Sequence, residues 1–453
     1  MHENQKAYML SGALWKQIPQ FAVPVALTAV LEQFFNATDI AIVGNLAETD
    51  RIAAVAAIGA NAPLIALFIN LFVGMALGAN VVIAHAIGAG REKDVGRAVH
   101  TAILWALLCG IPSILLGEAL AAPALRLLEV PDEIFPLALL YLRIYLLGMP
   151  ALILYNFAAA VFRSIGKTRT PLSVLIVSAG LNILLDSILV KGFSLSVDGV
   201  AIGTVIAHTF SALVLCFLLC KSREAIRLSP RKLQIDFKIW RQIISIGVPT
   251  GLASAVFSVS NIVIQNAVNS LGPVVMAASA IAFNIEIITY NVLNSFSQAC
   301  MTFVGQNFGA GNFPRCRKIL RLCLSEGMVF LVIAGSLILC FGKPWISLFT
   351  DNAEVAEIGY IRLVLVLLSH IFTLLYEVTS AYLRGFGIAT VPAILTMLGV
   401  CGVRIAWVHW IFPQNPTFQT LMTAFPVSLS VTLALILLAL LYYRPTKRFR
   451  KSS

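Results

Sequence analysis

Apolar residues run along this chain in blocks of about 20 or more, separated by short polar segments, from one end to the other. Each block is long enough to cross a bilayer as a helix. The blocks predict twelve spans, at about 17–43, 53–80, 98–122, 135–162, 171–193, 200–220, 241–268, 274–302, 318–341, 354–382, 391–412 and 418–442. The first block is too long for the apolar core of a signal peptide, and no small-residue cleavage site follows it. It therefore reads as the first span.

The pattern also repeats. Ile87-Gly88-Ala89-Gly90 returns 221 residues later as Phe308-Gly309-Ala310-Gly311. Arg163-Ser164-Ile165-Gly166, followed by Pro171, returns at the same offset as Arg384-Gly385-Phe386-Gly387, followed by Pro392. Val23-Pro24-Val25-Ala26-Leu27 returns at an offset of 225 as Val248-Pro249-Thr250-Gly251-Leu252, the difference falling in the acidic loop around Glu48 and Asp50. The expected fold is an all-α polytopic membrane protein of two six-helix bundles, residues 1–220 and 241–453, joined by a linker at 221–240. Six spans per half start both halves on one side, so the bundles are related by a pseudo-two-fold axis along the membrane normal. Duplicated membrane units of this kind usually make transporters.

Composition agrees: 12% of residues are charged, against roughly 25% in soluble domains, and the mean hydropathy is +0.90. All but seven of the 32 Lys and Arg fall on the side of the termini, the linker and the even-to-odd loops. That side reads as cytoplasmic, in a cell's inner or plasma membrane. The net charge of +11 follows topology and forms no single patch, so no nucleic-acid partner is expected. The linker is expected to carry an amphipathic segment on the inner leaflet, in contact with lipid headgroups. The eight cysteines lie mostly inside spans, which predicts neither a disulfide framework nor a structural metal. His85, His100, His208, His370 and His409 are scattered and no nucleophile–base motif stands inside a span, so no enzyme is expected.

Ionisable groups at membrane depth are functional candidates. Asp39 lies five residues before Gly44, Asp186 five before Lys191, and Thr204 five after Gly199, each counted from an outer span end. At about 1.5 Å per residue all three sit about 7 Å below the outer boundary, with Asn182 one turn deeper on the face of Asp186. Such a set of oxygens suits a hard cation such as Na⁺, or a proton shared by the two acids. The plainer alternative is a hydrogen-bond cluster tying helices together. At the repeat offsets Asp39, Asn182 and Asp186 become Ile264, Val403 and Trp407, so the acids exist in one half alone. Glu32, Asn36 and Asp39 share a face of the first span. Asn261, Gln265 and Asn269 form a stripe in the seventh, and Glu286, Tyr290 and Asn294 one in the eighth. These are candidate cavity walls or helix contacts. Glu286 is expected to pair with Arg404, or else to attract a cationic substrate. Glu377 is expected to reach the inner interface. Pro24 and Pro249 sit at matching places and permit bends.

With these residues in view, the chain resembles the multidrug and toxic compound extrusion (MATE) family, DinF-like branch, over essentially its whole length. The resemblance rests on Phe35-Asn36-Ala37-Thr38-Asp39 with Val43-Gly44, on the two Gly-Ala-Gly loops, and on Arg163–Pro171 with its copy Arg384–Pro392. It implies export of amphipathic, often cationic, drugs in exchange for H⁺ or Na⁺ by alternating access, as a monomer without a cofactor. It also implies that Asp39, Asn182, Asp186 and Thr204 form the coupling site, and that the first helix bends at Pro24. The seventh span has no carboxylate and Glu377 stands about a turn from the family's place, so no second ion site is carried over. The alternative is a lipid-linked precursor flippase of the wider superfamily.

Overall fold

The computed structural model describes residues 9–46, 51–350 and 352–449, without the side chain of Asn36. The loop at Glu48 and Asp50, Asp351, and the ends of the chain fall outside the described residues. A backbone surrounded by lipid must satisfy its own hydrogen bonds, and long apolar blocks do so as helices. In chain order these are α1 (Leu14–Leu46), α2 (Arg51–Gly88), α3 (Glu92–Leu127), α4 (Phe135–Leu147), α5 (Met149–Ser164), α6 (Arg169–Ser187) and α7 (Val197–Lys221), then α8 (Phe237–Asn269), α9 (Pro273–Gly309), α10 (Phe313–Ser347), α11 (Ala353–Gly385), α12 (Thr390–Thr396), α13 (Val403–Ala406), α14 (Phe418–Tyr443) and α15 (Pro445–Arg448).

Eleven of the described helical stretches are long and apolar enough to cross a membrane, and the pair α4–α5, bent by 46°, makes a twelfth. The bend falls at Gly148, where Pro150 starts α5 in the first helical turn that a proline tolerates. Two spans contain π-helical turns: α6 runs on into Ile188–Gly192, and Met397–Gly402 and Trp407–Ile411 flank α13.

The repeat in sequence is a repeat in backbone. Gly90 and Gly311 have φ of 68° and 70°, and Gly166 and Gly387 have φ of 86° and 84°. Each lies just past a helix end in the left-handed conformation that glycine adopts freely. Each turn is closed alike: Arg91 N–H donates to Ala86 O at 3.0 Å and Asn312 N–H to Asn307 O at 2.8 Å.

Two compact units result. One comprises Leu27–Ile87 and Arg91–Gly247; the other comprises Met1–Ala26, Gly88–Gly90 and Val248–Ser453. They are called the N-unit and the C-unit below. In the N-unit α2 and the start of α8 touch backbone to backbone, and a Cβ on Gly247 would stand 2.6 Å from Met75 O. In the C-unit the start of α1 is tied down by Arg315, whose guanidinium donates to Ser11 O at 2.8 Å, and by Asn307, which donates to Met9 O at 3.0 Å.

Between α7 and α8 the linker forms the 3₁₀ turn Pro230–Lys232. Pro230 and the extended backbone on both sides of that turn break helical hydrogen bonding. The segment is pinned to the N-unit. Ser229 N–H donates to His100 Nε2 at 3.0 Å, Lys167 pairs with Glu224 at 2.6 Å and Arg97 with Asp236 at 3.0 Å, over buried Ile226 and Leu228.

Candidate functional site

Four helices of the N-unit bring five polar side chains into one buried cluster. Asp39 of α1 is fully buried. Tyr141 of α4 donates its hydroxyl to Asp39 Oδ2 at 2.9 Å, and Thr204 of α7 places Oγ1 3.1 and 3.2 Å from the two carboxylate oxygens. Asn182 of α6 holds the other side, its Nδ2 donating to Thr204 Oγ1 at 3.1 Å and to Asp186 Oδ2 at 2.9 Å. Counting by depth thus places Asp39, Asn182, Asp186 and Thr204 together.

Asp186 Oδ1 is buried and receives no hydrogen bond. The two carboxyl groups lie within hydrogen-bonding reach of each other, but two carboxylates are both acceptors. Only a proton or a cation satisfies that contact, and leaving a buried carboxylate oxygen without a partner is costly. The close approach depends on Gly203 of α7, where any Cβ would overlap Asp186 Oδ1. No Lys or Arg stands among the groups acting on either acid.

Two members of this site escape sequence reasoning. Tyr141 reads as one more apolar residue in a span, although Tyr145 one turn on and a polar counterpart at the repeat offset, Arg362, mark its position. Gly203 has no sequence signal, because its role depends on a side chain of another helix.

The remaining candidates scatter. Glu32 is half-buried in the N-unit and Asn36 has no described side chain. α1 runs unbroken through Pro19 and Pro24 as one helix of 33 residues. In the C-unit, Gln265 and Asn269 are exposed and bonded to each other at 2.8 Å. Tyr290 stacks on Phe257 with ring centroids 6.2 Å apart, and Asn294 accepts from Gln298 at 3.1 Å.

The expected Glu286–Arg404 pair is not formed. Glu286 of α9 is held by Arg362 of α11 through two bonds, 2.6 Å from Nη2 and 3.2 Å from Nε, and Arg362 Nη1 donates to Ser279 Oγ at 2.7 Å. The fork engages both carboxylate oxygens, and no hydrogen bond from Arg404 reaches them. Arg404 of α13 instead donates to Ser428 Oγ and Asn261 Oδ1, each at 3.2 Å, and lies 4.2 Å from the Phe425 ring centroid. Glu377 lies two turns before the end of α11. It is mostly buried and pairs with Arg384 at 3.2 Å.

Comparison with known proteins follows the same division. The MatE family model matches residues 24–188 and again 249–408. The chain is 26% identical over 433 residues to the Bacillus subtilis protein named "Probable multidrug resistance protein YoeA", covering 94% of this chain and 93% of that one. It is 24% identical over 399 residues to the multidrug export protein MepA of Staphylococcus aureus, covering 87% of each. Among solved structures, an outward-facing multidrug resistance MATE transporter superposes with a TM-score of 0.85 at 19% identity, over 98% of both chains. A Pyrococcus furiosus transporter of the MOP superfamily, described as having a binding pocket of reversed polarity, superposes with a TM-score of 0.85 at 20% identity over 96% of both. At those identities the structural likeness speaks for the fold.

Proposed function

Because the chain belongs to the MatE family of multi-pass membrane transporters, a family of transporters and not of enzymes, we propose that it exports amphipathic, often cationic, drugs in exchange for protons. The observation that carries this reading is the buried pair Asp39–Asp186, with one carboxylate oxygen that no protein donor satisfies. A proton bridging the two acids fits the arrangement as it stands. Sodium is the second reading, but the amide of Asn182 would first have to turn its oxygen inward, since its nitrogen now faces both Thr204 and Asp186. The names of relatives such as YoeA and MepA support a drug substrate.

In this mechanism a proton enters the Asp39–Asp186 site from the outer side and removes the repulsion between the acids. The protonated state prefers the conformation that releases drug outward. Loss of the proton inward restores the state that takes up the next molecule. Coupling requires only that proton and drug prefer different states of one alternating-access cycle. The distribution of basic residues supports termini on the cytoplasmic side of the membrane, and in this reading the chain acts as a monomer among its lipids. The hinge of the cycle is α1 at Pro24, where a backbone hydrogen bond is missing. Flipping of a lipid-linked precursor is less well supported, since a diphosphate calls for several free basic groups and Arg362 is already neutralised by Glu286.

The test is ethidium efflux from proteoliposomes under a proton gradient or a sodium gradient, with wild type and Asp39→Asn. Proton-driven efflux that the variant loses is expected. Efflux under neither gradient, with the variant equal to wild type, would sink the reading.

A further inference from the structure

Counting charges inside the C-unit leaves a remainder. Three ionisable side chains are buried together: Glu286, Arg362 and Arg404 are 5%, 5% and 1% exposed. The fork between Arg362 and Glu286 closes one pair. With two guanidiniums and one carboxylate, one positive charge is left over. The ionisable groups around Arg404 are Tyr376, Cys401, Glu286 and Arg362, and the single carboxylate among them is committed elsewhere. The direct contacts of Arg404 are two neutral oxygens and the faces of Phe425 and Phe257, at 4.2 and 5.4 Å. Its Nη2 donates to no group among the described residues. A buried guanidinium left in that condition is costly unless something anionic joins it.

The surroundings are those of a site. α13, which carries Arg404, is a single α turn between two π-helical stretches, Met397–Gly402 and Trp407–Ile411. Such wide turns are uncommon and often accompany functional positions. Asn261, the acceptor for Arg404 Nη1, is partly exposed, and exposed Gln265 and Asn269 continue its face of α8 to that helix's end. A polar track therefore leads along one helix face to the unpaired charge.

We infer that Arg404 binds a carboxylate-type oxyanion borne by the transported molecule, so that the substrates include zwitterions, with the cationic part of the same molecule balanced elsewhere. The inference rests on the export reading above and narrows its substrate class. Arg404 supplies Nη2, Asn261 holds the guanidinium plane, and Phe257 and Phe425 flank it. A guanidinium suits a planar carboxylate.

Rhodamine 110, which carries a free carboxylate, and rhodamine 123, its methyl ester, differ only at the proposed contact. Binding of each to detergent-solubilised wild type and to Arg404→Gln is read by fluorescence anisotropy, and efflux of each from proteoliposomes is measured alongside. Wild type is expected to bind the free acid about tenfold more tightly than the ester, the scale of one hydrogen-bonded charge contact. Arg404→Gln is expected to erase that preference and leave ester binding within about twofold. Equal affinity of wild type for both dyes overturns the inference while leaving export intact. So does ester binding that strengthens when chloride replaces methanesulfonate, a control anion without a carboxylate, which would assign Arg404 to a free inorganic anion. Wild type that moves neither dye under any gradient overturns the export reading itself. Should Arg404→Gln fail to fold, the comparison of two dyes on wild type still decides.

Discussion

The same helices, used twice, hold opposite charge. In the N-unit Asp39 and Asp186 are buried with three neutral partners, Tyr141, Thr204 and Asn182, and no basic side chain. At the repeat offsets the C-unit carries Ile264 for Asp39, Arg362 for Tyr141, Phe425 for Thr204 and Trp407 for Asp186. Where Glu32 and Asn36 stand in the first span, Phe257 and Asn261 stand in the seventh, and both touch Arg404. The backbone at Gly90 and Gly311 differs by 2° in φ, while the cluster between the helices changes from two acids without a cation to two cations with a single acid. Duplication has preserved the scaffold and freed the interior. On the two proposals made above, one copy keeps a place for a proton, and the other a place for an anion.

The sharpest way to break this comparison is to exchange the charges. Asp39→Asn is expected to lower proton-driven ethidium efflux by about 100-fold or more, as loss of an obligatory proton carrier should, while Ile264→Asn at the matching place changes it less than about twofold. Equal losses in both would mean that the copies are not divided in labour. In the C-unit, Glu286→Gln leaves two guanidiniums buried without a carboxylate. A destabilisation of about 3 kcal/mol is expected, read as a fall in the midpoint of thermal unfolding in detergent, and Glu286→Gln with Arg362→Met should recover most of it. Gly203→Ala pushes a methyl into Asp186 and is expected to reduce efflux about tenfold, on the scale of a forced shift in a packed site. Gly180→Ala, where a Cβ meets nothing within 4 Å, is expected to be silent. The smallest effect is Tyr141→Phe, which removes one donor to Asp39 and should slow efflux by about fivefold, a net hydrogen bond of about 1 kcal/mol.

Much of the molecule is legible in its residues. Apolar blocks predict twelve spans because lipid admits few other structures for them, and repeated glycines predict repeated turns because left-handed backbone selects glycine. Asp39, Asp186 and Thr204 could be brought to one depth because helical rise is constant. Azimuth is another matter. The pairing of Glu286 with Arg404 was expected from depth alone, but which residue faces which depends on rotation about each helix axis. Two π stretches in the eleventh span add residues to its turns and rotate Arg404 away from its α-helical face. Arg362, at a suitable height on a different helix, takes the carboxylate instead. Tyr141 carries no sequence signal of its own, since a tyrosine within a span resembles its apolar neighbours until a carboxylate stands beside its hydroxyl.

The compact units do not divide the chain where its two sequence halves meet. α1 gives its residues up to Ala26 to the C-unit and the rest to the N-unit, and α8 gives its residues up to Gly247 to the N-unit and the rest to the C-unit, each change falling within a turn of Pro24 or Pro249. Cutting the gene in the linker would therefore yield two polypeptides, neither of which contains a whole unit, and each should need its complement present during insertion to fold. For a single-copy ancestor the same exchange of helix ends implies a domain-swapped dimer, so that fusion of two genes would have fixed in one chain a partnership already obligatory between two.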